Sequence, residues 1–169
     1  MTSNLFFRFT IIFFSSLFYI QSLFAISMTC KFEEIYSNGD VQQGFFLLKD
    51  KKLRYEYLDY NLFTVIFDSR NFFLIKNNDR NQQQLLNPKE TEIFAIMIDL
   101  SKQYPNLHDN IKIDGFEINL EKSNTHTFYK RISITSDNLN MSIFFNDCDP
   151  APIKNIFFYL SPVIEYYFK

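Results

Sequence analysis

Between residues 30 and 84, apolar and polar residues alternate with a period of two, and short turn signals interrupt the pattern at close intervals. That combination commits this half of the chain to antiparallel strands. Register is then set firmly, because a slip of one residue would send every buried side chain to the solvent face. The first predicted strand is 30–37. Asn38-Gly39-Asp40 is a strong hairpin signal, and 41–49 runs back from it. Asp50-Lys51-Lys52 turns the chain into Leu53-Arg54-Tyr55-Glu56-Tyr57, where Leu53, Tyr55 and Tyr57 share one face and Arg54 and Glu56 the other. Strands at 62–68 and 72–76 follow, separated by a turn at Ser69-Arg70-Asn71, and a turn at Asn77-Asn78-Asp79 leads to a polar strand through Gln82-Gln83-Gln84. The result is a meander of about six strands joined by short turns.

After Pro88 the period changes. Ile93, Ile96, Met97, Leu100 and Tyr104 fall at i, i+3, i+4, i+7 and i+11, which predicts an amphipathic helix over 89–103. Phe94 and Ile98 widen its apolar face, and Pro105 stops it. Strands then resume. Phe116, Ile118 and Leu120 alternate with Glu117, Asn119 and Glu121; further strands are expected at 127–135 and 141–146, with a turn at 136–138 between them. A last short strand is expected at 156–160, between Pro152 and Pro162. The predicted fold class is mainly β with one or two helices. An antiparallel sheet of about ten strands must curl or close. Its concave side needs apolar cover, and one broad-faced helix there covers only part of it, so an apolar cavity is expected to remain.

Ahead of the strands lies a different kind of segment. No charged residue occurs from Phe9 to Thr29, and only Arg8 and the amino terminus carry charge before it. Residues 9–20 form an apolar run of 12, followed by the more polar Gln21-Ser22 and by small residues at Ala25 and Ser27. This is the pattern of a secretory signal, 1–27, cleaved after Ser27 or alternatively after Ala25, and it predicts an exported protein. The competing reading is an uncleaved anchor. Thr29 directly before Cys30 argues against a lipidated cysteine. Cleavage after Ser27 leaves one domain, 28–169, of 142 residues with 24 aromatic rings and a net charge of −3. It holds two cysteines, Cys30 and Cys148. In an exported chain such a pair reads as one disulfide worth roughly 4 kcal/mol, and otherwise as two separate buried thiols.

Several function classes drop out. A net charge of −2 on the full chain offers no basic stripe for nucleic acid, and 47% apolar residues exclude disorder. His108 and His126 have no companions at metal-ligand spacing, and Asp147 and Asp149 beside Cys148 read as a solvated turn. Glu33 and Glu34 are adjacent, so on a strand they point to opposite faces and do not act as a pair. The basic run Lys49, Lys51, Lys52 and Arg54 reads as a solvated hairpin end, or alternatively as a docking patch for an acidic partner. There is no phosphate loop or nucleophile elbow. The expectation is not an enzyme, with no cofactor and no metal.

The order of residues from Gly39 to Asn77 resembles the periplasmic outer-membrane lipoprotein carrier proteins, the LolA type. The resemblance lies in Gln43-Gly44-Phe45-Phe46-Leu47-Leu48-Lys49, in the aromatic Leu53-Arg54-Tyr55-Glu56-Tyr57, and in the pair Phe63-Thr64-Val65-Ile66-Phe67-Asp68 and Phe72-Phe73-Leu74-Ile75. The run Asn155-Ile156-Phe157-Phe158-Tyr159-Leu160-Ser161-Pro162 is similar to the family's closing strand. The chain departs from the family in three places. The helix ahead of the first strand is missing, Asp50-Lys51 stands where the family has Arg-Pro, and Ser69-Arg70 lacks the usual Gly.

The resemblance implies a large curved antiparallel sheet, an unclosed half-barrel with the helix on its concave face, and a periplasmic chaperone of outer-membrane biogenesis and protein transport, a monomer whose hydrophobic interior shields the acyl chains of lipoproteins. Its partners would be acylated lipoproteins, an inner-membrane release machinery and an outer-membrane acceptor, with no nucleic acid. Candidate lipid-binding residues are Phe46, Leu48, Leu53, Tyr55, Tyr57, Ile93, Met97, Leu100, Ile118 and Ile143. The alternative is a non-carrier envelope interaction or sensor module on the same fold, anchored or free.

Overall fold

The computed structural model describes residues 27–86, 92–106, 110–113 and 115–159. The signal-peptide expectation, His108 and the predicted first helical residues 89–91 lie outside them. Ten strands form one antiparallel sheet: β1 (Ser27–Tyr36), β2 (Val41–Lys49), β3 (Lys52–Tyr57), β4 (Phe63–Phe67), β5 (Phe72–Lys76), β6 (Gln83–Leu85), β7 (Asn110–Ile113), β8 (Phe116–Lys122), β9 (Tyr129–Thr135) and β10 (Asn140–Asp149). The helix α1 (Glu92–Gln103) interrupts them between β6 and β7. The spatial order is β6-β5-β4-β3-β2-β1-β10-β9-β8-β7. Each half is therefore a simple meander. The two meet only at the centre, where the first strand pairs with the last along Lys31↔Asn146 to Tyr36↔Met141. With β6 and β7 as its edges the sheet is not closed.

The turns follow from residue chemistry. At the β2–β3 turn Asp50 and Lys51 both have positive φ, 49° and 63°, the conformation of a two-residue hairpin whose twist matches its strands. Gly39, at φ 90°, supplies the left-handed residue of the β1–β2 turn. Gly44 has another reason. It lies opposite Phe32 on β1 and Tyr57 on β3, and a Cβ there would overlap the Phe32 ring and the Glu56 carbonyl oxygen. Its bareness lets Phe32 lie flat across β2 and stack on Tyr55, with ring centroids 3.9 Å apart.

One face of the sheet is the interior of the half-barrel. Buried apolar side chains on it come from β1 to β5 and from β8 to β10, and form one cluster with Phe94, Ile96, Met97, Ile98 and Leu100 of α1. The helix bridges both halves. Phe94 meets the rings of Tyr55, Phe63 and Phe72 on the β3–β5 side, while Tyr104, just past the helix, meets Phe128 ahead of β9. Cys30 and Cys148 join β1 to β10 across the central seam through a disulfide, as the even pair of cysteines predicts.

The outer face is covered over β2 and β3. Phe45 and Leu47 pack there against Ile153, Phe157 and Phe158. This explains why Phe45-Phe46-Leu47-Leu48 is apolar without alternation: both faces of β2 are buried at that point. The strand expected at 156–160, whose last residue lies outside the described ones, is not formed. Asn155–Phe158 is instead a short 3-10 helix. No ladder is open to it nearby, since β1 and β10 are each paired on both sides. The segment crosses the outside of the sheet and is tied down by side chains.

The reading of Arg54 as part of a solvated hairpin end is also corrected. Its side chain is buried, with Nε and Nη2 on the Glu56 carboxylate at 2.7 and 2.6 Å and Nη1 on the Phe157 carbonyl at 2.9 Å. Burial lowers the Arg54 guanidinium below its ordinary range, and the facing Glu56 carboxylate opposes that shift. Lys49 completes the tie by donating to the Ile153 carbonyl at 2.6 Å.

Candidate functional site

The interior face holds all ten residues singled out from the sequence. Nine are buried: Phe46, Leu48, Leu53, Tyr55, Tyr57, Met97, Leu100, Ile118 and Ile143. Ile93 is partly buried against the same cluster. The strands supply alternate residues to this face by their two-residue period, and α1 supplies the rest from its broad apolar stripe. Rings dominate the contacts. Phe46, Phe128 and Phe145 form a triad with centroids 5.1 to 5.3 Å apart, and Phe32, Tyr55 and Tyr57 form a second group beside it. Phe32–Tyr55 and Phe46–Phe128 are stacked and the other pairs stand edge to face, and such aromatic pairs add about 0.5–1.5 kcal/mol each beyond the area they bury.

One charged group breaks this apolar surface. Glu34 is 1% exposed, on the interior side of β1 two residues beyond Phe32. Three hydroxyls donate to its carboxylate: Tyr55 to Oε1 at 2.6 Å, Tyr36 to Oε2 at 2.8 Å, and Tyr57 across both oxygens at 3.0 and 3.1 Å. No cationic side chain pairs with it among the described residues. Burial pushes the Glu34 carboxyl above its ordinary range, and the three hydroxyl hydrogen bonds pull the other way. Burial and the neighbouring carboxylate raise the phenols of Tyr55, Tyr57 and Tyr36, so all three stay protonated as donors.

Tyr36 and Tyr57 also line a cavity of about 250 Å³ that opens at this end of the sheet, together with Asn38, Asp40, Gln42, Leu62 and Phe63. Tyr57 is thus where the expected lining set reaches a cavity. Reading Glu33 and Glu34 only as a pair overlooked Glu34. The available signal was Glu34 on the same period-two face as Phe32, and Tyr55 and Tyr57 on a face of their own two strands away.

Elsewhere the chemistry is sparse. Asp147 pairs with Lys31 at 2.8 Å on the exposed outer side. His126 is partly buried, and burial lowers its imidazole below the ordinary range. Among the described residues no three His, Cys, Asp or Glu side chains are placed to hold a metal ion, and no helix is long and apolar enough to cross a membrane. No family model matches the chain, and no curated protein matches it significantly.

Proposed function

We propose that this protein is a periplasmic carrier of acyl chains, a chaperone that shields the lipid anchors of lipoproteins on their way to the outer membrane, as its resemblance to the LolA type implies. The observation that supports it is the continuous apolar face drawn from eight strands of an open sheet and roofed by a single 12-residue helix. In this reading cargo replaces the helix. Phe94, Met97 and Leu100 occupy the space that acyl chains take when α1 swings aside. Each acyl methylene transferred from water contributes about 0.8 kcal/mol, so two chains bind firmly with no covalent step. The donor is an inner-membrane release machinery and the acceptor an outer-membrane receptor.

The turn at Asp50-Lys51 separates this chain from the family's Arg-Pro. Lys51 has φ 63°, which proline cannot adopt, so this turn is of another type and its closed state does not rest on that arginine. The seat of α1 rests instead on the Phe94 contacts. Export fits cleavage after Ala25 better than after Ser27. Ser27 pairs with Lys49 in the β1–β2 ladder, and its Oγ donates to the Ala151 carbonyl at 2.7 Å.

The close packing of the interior favours a second reading, an envelope interaction module whose filled core never opens. Native mass spectrometry of protein purified from the envelope separates the two. The carrier is expected to bring an acylated adduct, and Phe94→Ala to raise its uptake of a fluorescent fatty acid. A bare mass together with no uptake by either form overturns the carrier and leaves the module. The same spectrum reads the cleavage site.

A further inference from the structure

We infer that the cavity at the Tyr36–Tyr57 end of the sheet is a binding site for an organic ammonium group. The inference stands apart from the acyl-carrier reading, because it concerns the mouth of the sheet and not its interior face.

The polarity of the walls carries it. The lining contains no basic residue, one carboxylate (Asp40), and the rings of Tyr36, Tyr57 and Phe63. Tyr57 and Phe63 stand edge to face with centroids 5.2 Å apart, so two aromatic surfaces meet at a corner. Directly behind Tyr36 and Tyr57 sits the Glu34 carboxylate, a second negative group with no cation to balance it among the described residues.

The hydrogen bonds sharpen the point. Tyr36 and Tyr57 commit their hydroxyl protons to Glu34, so toward the cavity they present oxygen lone pairs. The Asn38 amide nitrogen donates to the Asp40 carboxylate at 2.7 Å, and the Asp40 backbone N–H donates to Asn38 Oδ1 at 3.0 Å. Tyr36 and Tyr57 thus have no hydroxyl proton left for a ligand, and Asn38 spends one amide proton on Asp40, which leaves its second proton and the Gln42 amide as the side-chain donors of the lining. The rest of the lining offers acceptor oxygen, negative charge and aromatic rings. A cation over their faces gains about 0.5–2 kcal/mol from each well-placed ring, more where water is excluded. Anions find no cationic side chain in this lining. An alkylated ammonium fits best, since its methyl groups suit Leu62 and Phe63 while its charge is met by Asp40 and Glu34.

The test uses the mature full-length protein, labelled with nitrogen-15, and choline chloride as the probe. Its control is 3,3-dimethyl-1-butanol, which has the same shape without the charge. Choline is expected to shift the amide signals of Tyr36, Asp40, Tyr57 and Phe63 with an affinity of about millimolar or tighter, and the neutral control to leave them unmoved. Asp40→Asn, on an exposed turn, is expected to weaken choline at least about tenfold while the rest of the spectrum is unchanged. Glu34→Gln is expected to do the same where it folds. Dodecyltrimethylammonium below its micelle concentration distinguishes two sources of the group. Tighter binding than choline, with the same amides shifted, assigns the head of an amphiphile, and equal binding assigns a free amine. The inference is overturned if choline and the neutral control shift the same amides equally, if neither shifts them, or if Asp40→Asn binds choline as well as the parent.

Discussion

Removing the Cys30–Cys148 bond tests how the two meanders are held together. The cysteines are 118 residues apart, and every residue of both meanders except the start of β1 and the end of β10 lies inside the loop they close. In the chain-entropy model a loop of that length costs the unfolded ensemble about 16 cal/mol/K, which is about 5 kcal/mol at 25 °C. Domains of this size are stable by about 5–15 kcal/mol in total, so the bond supplies a third or more of what holds the fold. At about 3 °C per kcal/mol the melting temperature should fall by about 15 °C. The perturbation is the double variant Cys30→Ala with Cys148→Ala, which leaves no hydroxyl in the fully buried Cys30 site. Urea unfolding of that variant, beside the parent with and without reductant, gives the difference directly. A loss below about 2 kcal/mol would refute the reasoning, because it would mean that β1 and β10 stay together in the unfolded chain and the bond closes no loop.

Gly44→Ala is expected to cost more than about 3 kcal/mol in urea unfolding, since the new methyl overlaps the Glu56 carbonyl and displaces the Phe32 ring from Tyr55. Lys51→Gly should stabilise by about 1 kcal/mol in thermal melts by relieving φ 63°, and Lys51→Pro should destabilise strongly. Arg54→Ala leaves the buried Glu56 carboxylate with Arg80 alone and removes the guanidinium's bond to the Phe157 carbonyl, so a loss of about 3–5 kcal/mol is expected, with faster proteolysis of residues 150–159. The Glu34 carboxyl holds its proton more tightly folded than unfolded, because its pKa is raised on burial. Stability from this group is therefore full below the unfolded value of 4.5 and falls as pH rises through the higher folded value. Glu34→Gln should remove that decline from a series of urea curves, and an unchanged pH profile would show that the carboxyl titrates normally.

The strands could be read from the sequence because their cause is local. Alternation, Asn38-Gly39 and the Asp50-Lys51 turn each act within a few residues, and the helix announced itself by its change of period at Pro88. β7 went unnoticed, since Asn110–Ile113 is only four residues long and pairs with β8 alone. Arg54 was misplaced because strand alternation marks it as outward, and only the later arrival of residues 153–158 covers that outer face. The interior face of Phe46, Leu53, Tyr55 and Ile143 followed from period two, and the disulfide from cysteine number. The Glu34 cluster was hidden for another reason. It needs Tyr36, Tyr55 and Tyr57 from two strands that share no direct ladder, β1 and β3, with bare Gly44 between them. No window along the chain holds that information.

The pairing of β1 with β10 also orders events in time. A chain made or threaded from its amino end presents β1 first, yet the strand that completes it begins at Asn140, about a hundred residues later. At 5–20 residues per second that is a wait of about 5–20 s. During it β2 can protect one edge of β1, while the other stays open with its apolar face unroofed and the Cys30 thiol unpaired. The margin at which a newcomer strand would dock is thus destined to become the middle of the molecule. An emerging chain of this design is at its most adhesive just before it is finished, and slower delivery, not weaker final contacts, is what would first drive it into aggregates.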